Sequence, residues 1–246
     1  MNDTRPDPAV VRAIAPTGRL RAALNLGNAV LARSRTAVER PAGVTIDLAQ
    51  RCALQLGVEL TLLAFDAPGQ SAAAIGAGEA DIGFLAIDPL RARSIHFTAP
   101  YVRIEGCYMV RDDSPLTTVE AVDRPGVRVV AGRASAYHLH LSRSLVHATL
   151  VEIDLSDDPV AELARQAPHG VAAGVRQMLE STVAGAPGLR LLPGRFMVIE
   201  QAMAMPRDRG AAAEAWLEDF LAAHRRDGYV AQALRRHGIE GATALG

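Results

Sequence analysis

The residue types that could carry chemistry in this chain are few and scattered. His138-Leu139-His140 sets two imidazoles two residues apart. On a helix such a pair faces apart, and no Cys, Asp or Glu cluster is placed by sequence to complete a metal site. Cys52 and Cys107 belong to no CxxC or Cys/His pattern, and each lies in an apolar stretch, so both read as small core residues. No GxSxG, HExxH or P-loop pattern occurs. The expectation is no metal and no cofactor. Arg225-Arg226 with Arg235-Arg236 and His237 is the one local basic cluster, and its helical setting reads as a solvated face. With 26 basic against 27 acidic residues, the chain lacks the concentrated positive field that phosphate binding requires, which excludes a nucleic-acid partner.

The elements that must position any site alternate. A strand-like start over 18–26 precedes a helix over 43–57, whose Leu48, Ala49, Cys52 and Leu56 recur at helical spacing before Gly57 stops it. A strand over 58–65, a small-residue helix over 71–77 and an apolar strand over 81–87 follow. This order implies a parallel sheet with helices on its faces. The pattern recurs more weakly: strands over 107–110, 127–131, 150–153 and 171–175, one helical turn over 118–123, a helix from about Ser135, and another over 157–165 capped at Ser156 or Asp157. Two helices close the chain, over 211–226 and 229–236, with Asp227-Gly228 between them. The 49% hydrophobic share suffices for a core, and the 4% aromatic share means that Leu, Val, Ile and Ala must build it. Residues 1–16 have no cationic start followed by an apolar run, and no stretch approaches the roughly 18 apolar residues of a membrane span. The expectation is a chain that inserts in no membrane and is cytoplasmic as written, or periplasmic if the start has been trimmed.

The order of motifs resembles the family 3 bacterial solute-binding proteins, the group of the periplasmic amino-acid receptors. The resemblance rests on Gly43-Val44-Thr45-Ile46-Asp47-Leu48, Leu56-Gly57, Gly78-Glu79-Ala80-Asp81, Asp88-Pro89-Leu90-Arg91-Ala92, Phe97-Thr98-Ala99-Pro100-Tyr101 and the C-terminal helices, and spans about residues 18–241. It implies an α/β, two-lobed periplasmic-binding-protein-like fold of type 2. Each lobe would be a mostly parallel sheet flanked by helices, with two crossover strands as hinge. Lobe 1 would hold 18–106 plus 197–246, lobe 2 would hold 107–196, and 1–17 would be an N-terminal extension. The ligand would lie between the lobes.

The resemblance also implies site residues. Arg91 matches the family's ligand-carboxylate arginine, a planar fork that a lysine cannot copy; the alternative is an arginine paired to Asp88. The hydroxyl expected before it is replaced by Ala86 or Asp88, and Asp88 either receives a cationic or hydroxyl group or caps a helix starting at Pro89. Gly132-Arg133-Ala134-Ser135 occupies the family's anion-binding turn, with Arg133 either an extra cation there or a surface residue. The ammonium-binding carboxylate reads Gln177, and the first-strand acidic position reads Asn25. Gln can hydrogen-bond an amine without neutralising it. Asn28 and Pro68, with Phe65 nearby, stand where aromatics cover the family's ligands. Glu105, and less so Glu200, could supply a negative charge.

The expectation is a non-enzymatic binder of a small carboxylate or polar solute, less an ordinary α-amino acid. It would be a monomer or weak dimer serving an ABC-transporter permease or a signalling partner. The alternative is a dehydratase-like enzyme on the same fold acting on a cyclic carboxylic acid, with Glu105, Asp88 and Glu200 as its only nameable acids or bases.

Overall fold

The computed structural model describes residues 6–33, 41–154, 157, 159–166 and 169–246, so that Ser156 lies outside the described residues. The chain divides into two compact units, Met1–Arg103 with Glu200–Gly246, and Ile104–Ile199.

The first unit begins with a helix that sequence patterning did not reveal, α1 (Pro8–Ile14). Asp7 caps it by accepting from the Ala9 N–H at 2.6 Å, Pro8 opens it, and Ile14 is buried. The strands β1 (Arg19–Asn25), β2 (Glu59–Phe65) and β3 (Ile82–Ala86) lie parallel in the order β2-β1-β3, with Ala22 opposite Leu62 on one side and Ile82 on the other. Between them run α2 (Val44–Leu56) and α3 (Pro68–Gly76). The expected stripe of α2 is buried, and Gly57 ends the helix at φ +69°, the left-handed conformation that glycine adopts without a Cβ penalty. α3 begins three residues before its expected start because Pro68 is pre-set for the first helical turn. Gly83 of β3 lets α3 come close: a Cβ there would stand 2.2 Å from Ile75 Cδ1. A short β4 (Ile95–Phe97) follows.

The chain enters the second unit within β5 (Val102–Arg111) and leaves it within β10 (Met197–Pro206). The second unit repeats the plan. β6 (Arg128–Gly132), β7 (Thr149–Ile153) and β8 (Gly170–Val175) are parallel in the order β8-β6-β7, and β5 pairs antiparallel with β8. α4 (Ala136–Ser144), α5 (Pro159–Arg165), α6 (Arg176–Gly185) and a short β9 (Leu189–Leu191) complete it. Its core joins Val110, Val122, Val129, Leu141, Val171 and Leu192, with Phe196 stacked on Tyr108 at 4.3 Å. The helical turn expected over 118–123 is instead irregular. There the Asp123 carboxylate accepts the backbone N–H groups of Val146, His147 and Ala148, at 2.7–3.2 Å, which ties the segment to the loop before β7.

Back in the first unit, β10 runs antiparallel to both β3 and β4. The Thr98 hydroxyl of the Phe97–Tyr101 motif bonds the Met203 backbone, and the Tyr101 side chain is fully buried, so this motif serves packing. α7 (Ala211–Arg226) and α8 (Tyr229–Arg236) meet at Gly228 (φ +74°), and β11 (Thr243–Ala244) pairs with the start of β5. Much of the basic cluster is engaged within the unit. Arg225 donates to the carbonyls of Leu245 and Gly246, and Arg236 and His237 reach Asp47 at 3.4 and 2.9 Å.

Candidate functional site

Strand order alone locates the candidate site in each unit. In the first, the chain goes from β1 outward to β2 and then returns to lay β3 on the other side of β1. In the second, it goes from β6 to β7 and returns to lay β8 on the other side of β6. Such a reversal leaves a crevice beyond the carboxyl ends of the two central strands, where open α/β sheets take their ligands. The residues found there are Asn25 and Asn28 after β1, Ala86, Asp88 and Arg91 after β3, Gly132–Ser135 after β6, and Arg176 and Gln177 after β8. Pro68 follows β2 as the first residue of α3. Most of the residues singled out from the sequence therefore collect at these two strand ends. Glu105 lies within β5 and Glu200 within β10.

In the first unit, Ala86 closes β3 and its carbonyl accepts from an Arg91 Nη at 3.0 Å. Arg91 is buried, 7% exposed, and desolvation pushes its guanidinium down to about 10 against the opposing pull of Asp88. A cation so placed has lost much of its hydration, which strengthens its attraction for an anion. Asp88 takes the capping role: its carboxylate accepts the Leu90 N–H at 2.8 Å, and its backbone carbonyl accepts from Ala92. The helix expected at Pro89 is only a 3-10 turn over Arg91–Arg93, because the chain must re-enter the sheet at Ile95. Asn25 ends β1, and Asn28 sits in the turn that follows. The two Oδ1 atoms are out of contact with solvent and meet no donor.

In the second unit, the Gly132–Ser135 turn is held by His138 and Glu152, to which sequence reasoning assigned no part in it. Ala134 holds a left-handed conformation, φ +57°. Its N–H donates to His138 Nδ1 at 3.3 Å, and His138 Nε2 meets Glu152 at 2.9 Å. Ser135 caps α4 by accepting the His138 N–H at 3.0 Å. His138 is thus a positioning residue, held in the tautomer with hydrogen on Nε2, and its bond keeps the Glu152 carboxyl below the usual carboxylate range. Arg133 is largely exposed and pairs with Glu152 and Asp154 of the neighbouring strand end, at 2.9 and 3.3 Å. The spacing of Ser135 and His138, three residues across a helix start, was the available signal for this cap.

Glu105 is neutralised inside the second unit. Arg195 and Arg176 bond its two oxygens at 2.5 and 2.6 Å, and these bonds, Arg195 first, hold its carboxyl below the ordinary range. Arg176 also donates to the Gly194 carbonyl at 2.7 Å. Arg176 also faces Glu180 at 3.7 Å, so the cluster beside Gln177 balances two arginines against two glutamates, and its signal in the sequence was an arginine standing directly at a strand-to-helix junction. Glu200 pairs with Arg103 at 2.7 Å. Among the described residues, no three His, Cys, Asp or Glu side chains converge as a metal site.

A profile of the family described as bacterial extracellular solute-binding proteins, family 3, matches residues 32–239. Among solved structures, the solute receptor for L-cysteine of Neisseria gonorrhoeae is similar at a TM-score of 0.76 and 16% identity, covering 92% of each chain. An amino acid ABC transporter substrate-binding protein of Streptococcus pneumoniae bound to L-arginine is similar at a TM-score of 0.74 and 19% identity, covering 92% of this chain and 96% of that one. An ancestral amino acid-binding protein, a precursor of cyclohexadienyl dehydratase, is similar at 0.73 and 16% identity, with 92% and 97% covered. A search of curated protein sequences finds no match. At these identities the structural likeness speaks for the fold alone.

Proposed function

The chain belongs to the bacterial extracellular solute-binding proteins of family 3, and from that premise we propose that it binds a small organic carboxylate or other polar solute and presents it to an ABC-transporter permease or a signalling partner. The observation that carries the reading is Arg91: a buried, desolvated guanidinium at the carboxyl end of a central parallel strand. A carboxylate there exchanges water for a planar, two-pronged donor in a low-dielectric site.

The solute is less an ordinary α-amino acid than the known ligands of the similar proteins suggest. An α-ammonium needs a carboxylate, and the acids named for that role are already engaged. Glu105 is held by two arginines, Glu200 by Arg103, and Asp88 accepts the Leu90 N–H and sets its charge against Arg91. The same pairings weigh against a dehydratase-like reaction, whose general acid needs a raised pKa where Glu105 has a lowered one.

The test is a thermal-shift screen of organic acids, amino acids and neutral polar solutes, followed by mass analysis of the recovered ligand. A carboxylate should raise Tm, return chemically unchanged, and lose its effect on Arg91→Ala. Equal binding by Arg91→Ala would remove the anchor assignment, and turnover of the ligand would replace binding by catalysis.

A further inference from the structure

Two acceptors at the carboxyl end of β1 have nothing to accept from. Asn25 is the last residue of that strand, and Asn28 follows within the same turn, its N–H donating to the Asn25 carbonyl at 3.3 Å. The Asn28 carbonyl accepts from Leu31 and Ala32, so both backbone groups of Asn28 are bonded. The side chains are not: Asn25 Oδ1 and Asn28 Oδ1 are both shut off from solvent with no hydrogen-bond donor, and Asn28 is only 9% exposed. Buried polar atoms in native proteins are paired, and each exception calls for a missing partner.

The turn that carries them is closely built. A Cβ on Gly27 would stand 2.6 Å from the Asp66 carbonyl and 3.2 Å from Asn25 Oδ1, so glycine alone lets the ends of β1 and β2 approach here. The place is also the switch point of the first unit, beside the strand end that carries Arg91. An amide oxygen accepts a hydrogen bond but cannot neutralise a cation, and a buried ammonium without a counter-charge is costly. Of the carboxylates at this end of the sheet, Asp88 accepts the Leu90 N–H and sets its charge against Arg91, Glu200 is paired with Arg103, and Asp66 is exposed to water.

We infer that the solute presents an uncharged hydrogen-bond donor, of the carboxamide, ureido or hydroxyl kind, to Asn25 and Asn28, with its carboxylate toward Arg91. This rests on the carboxylate reading above and names the second group the solute must carry. Asn25 and Asn28 are then the residues that set specificity, and their unsatisfied oxygens are paired only when the site is filled.

Calorimetric titration with three matched series of short ω-substituted carboxylates tests this, the ω group being a carboxamide, a second carboxylate or an ammonium. The wild-type chain should bind the best carboxamide acid at least tenfold more tightly than the matched amine or diacid. Asn25→Asp should reverse the order, the amine gaining at least tenfold. Asn25→Leu and Asn28→Leu should each lose carboxamide binding at least tenfold while the ligand-free Tm stays level or rises, since no bond to the replaced oxygen is lost. A wild type that prefers the amine or the diacid, or leucine variants that bind the carboxamide undiminished, overturn the inference and leave the carboxylate reading standing. Leucine variants with a lowered ligand-free Tm also overturn it, because the oxygens are then part of the fold. No binding by any series overturns both.

Discussion

Glu105 shows how a single residue in this molecule can look functional in sequence and be structural in space. Its two oxygens are taken by Arg195 and Arg176, and its folded pKa lies below the ordinary value. The stability it contributes is therefore fully present above the unfolded carboxylate pKa of about 4.3, and is lost as pH falls through the depressed folded value. Glu105→Gln should lower Tm at pH 7, and the gap to the wild type should close as the pH is taken well below 4.3; a gap that persists in acid would mean the ion pairs are not its cause. Ala134 offers the converse case. Its φ of +57° costs an L-residue roughly 1–2 kcal/mol, more than the roughly 0.4–1 kcal/mol of unfolded-state entropy that a glycine adds. Ala134→Gly should stabilise by about 0.5–1 kcal/mol in urea unfolding. The positions of such residues were legible because Glu105 stands just before a strand-like run and Ala134 just after one. Their partners were not, since Glu105 bonds residues 71 and 90 positions away, and His138 bonds Glu152 across 14. Those meetings are decided by sheet order.

At the scale of elements, legibility followed burial pattern. α2 buries Leu48, Ala49, Cys52 and Leu56 at helical spacing and ends on a left-handed glycine, and it was read nearly to its limits. β3 is buried at every position and stood out as an apolar run. α6 buries only Leu179, which gives no stripe to read, and it went unseen. The turn at Arg91 was expected as a helix because Pro89 and Asp88 resemble a helix start, yet only three residues separate Arg91 from β4. The close approach of α3 to β3 is testable. Gly83→Ala must push Ile75 Cδ1 away from 2.2 Å within a packed core, an overpacking cost of about 1–3 kcal/mol. Adding Ile75→Val removes that methyl and should recover most of the loss. Equal stability of Gly83→Ala and the wild type in chemical denaturation would show that the helix is free to shift.

Over the whole chain, two units repeat one plan, in which the second and third parallel strands are laid on opposite sides of the first. The fold class was legible from the strand and helix alternation together with the family motifs. Those motifs divide by role: Phe97–Tyr101 packs β4 against β10, whereas Arg91 stands at the switch point of the first unit. A solute bound only by the folded chain stabilises it by about 2.7 kcal/mol at a hundredfold excess over Kd, which for a chain of this size is roughly 5–10 °C in Tm. Whether Arg91 anchors the solute is read from that shift, measured with the best carboxylate from the screen on the wild type and on Arg91→Ala. The wild type should gain roughly 5–10 °C at that excess, with the ligand recovered unchanged, and the variant little or nothing; an equal rise in both proteins would mean that Arg91 does not hold the carboxylate.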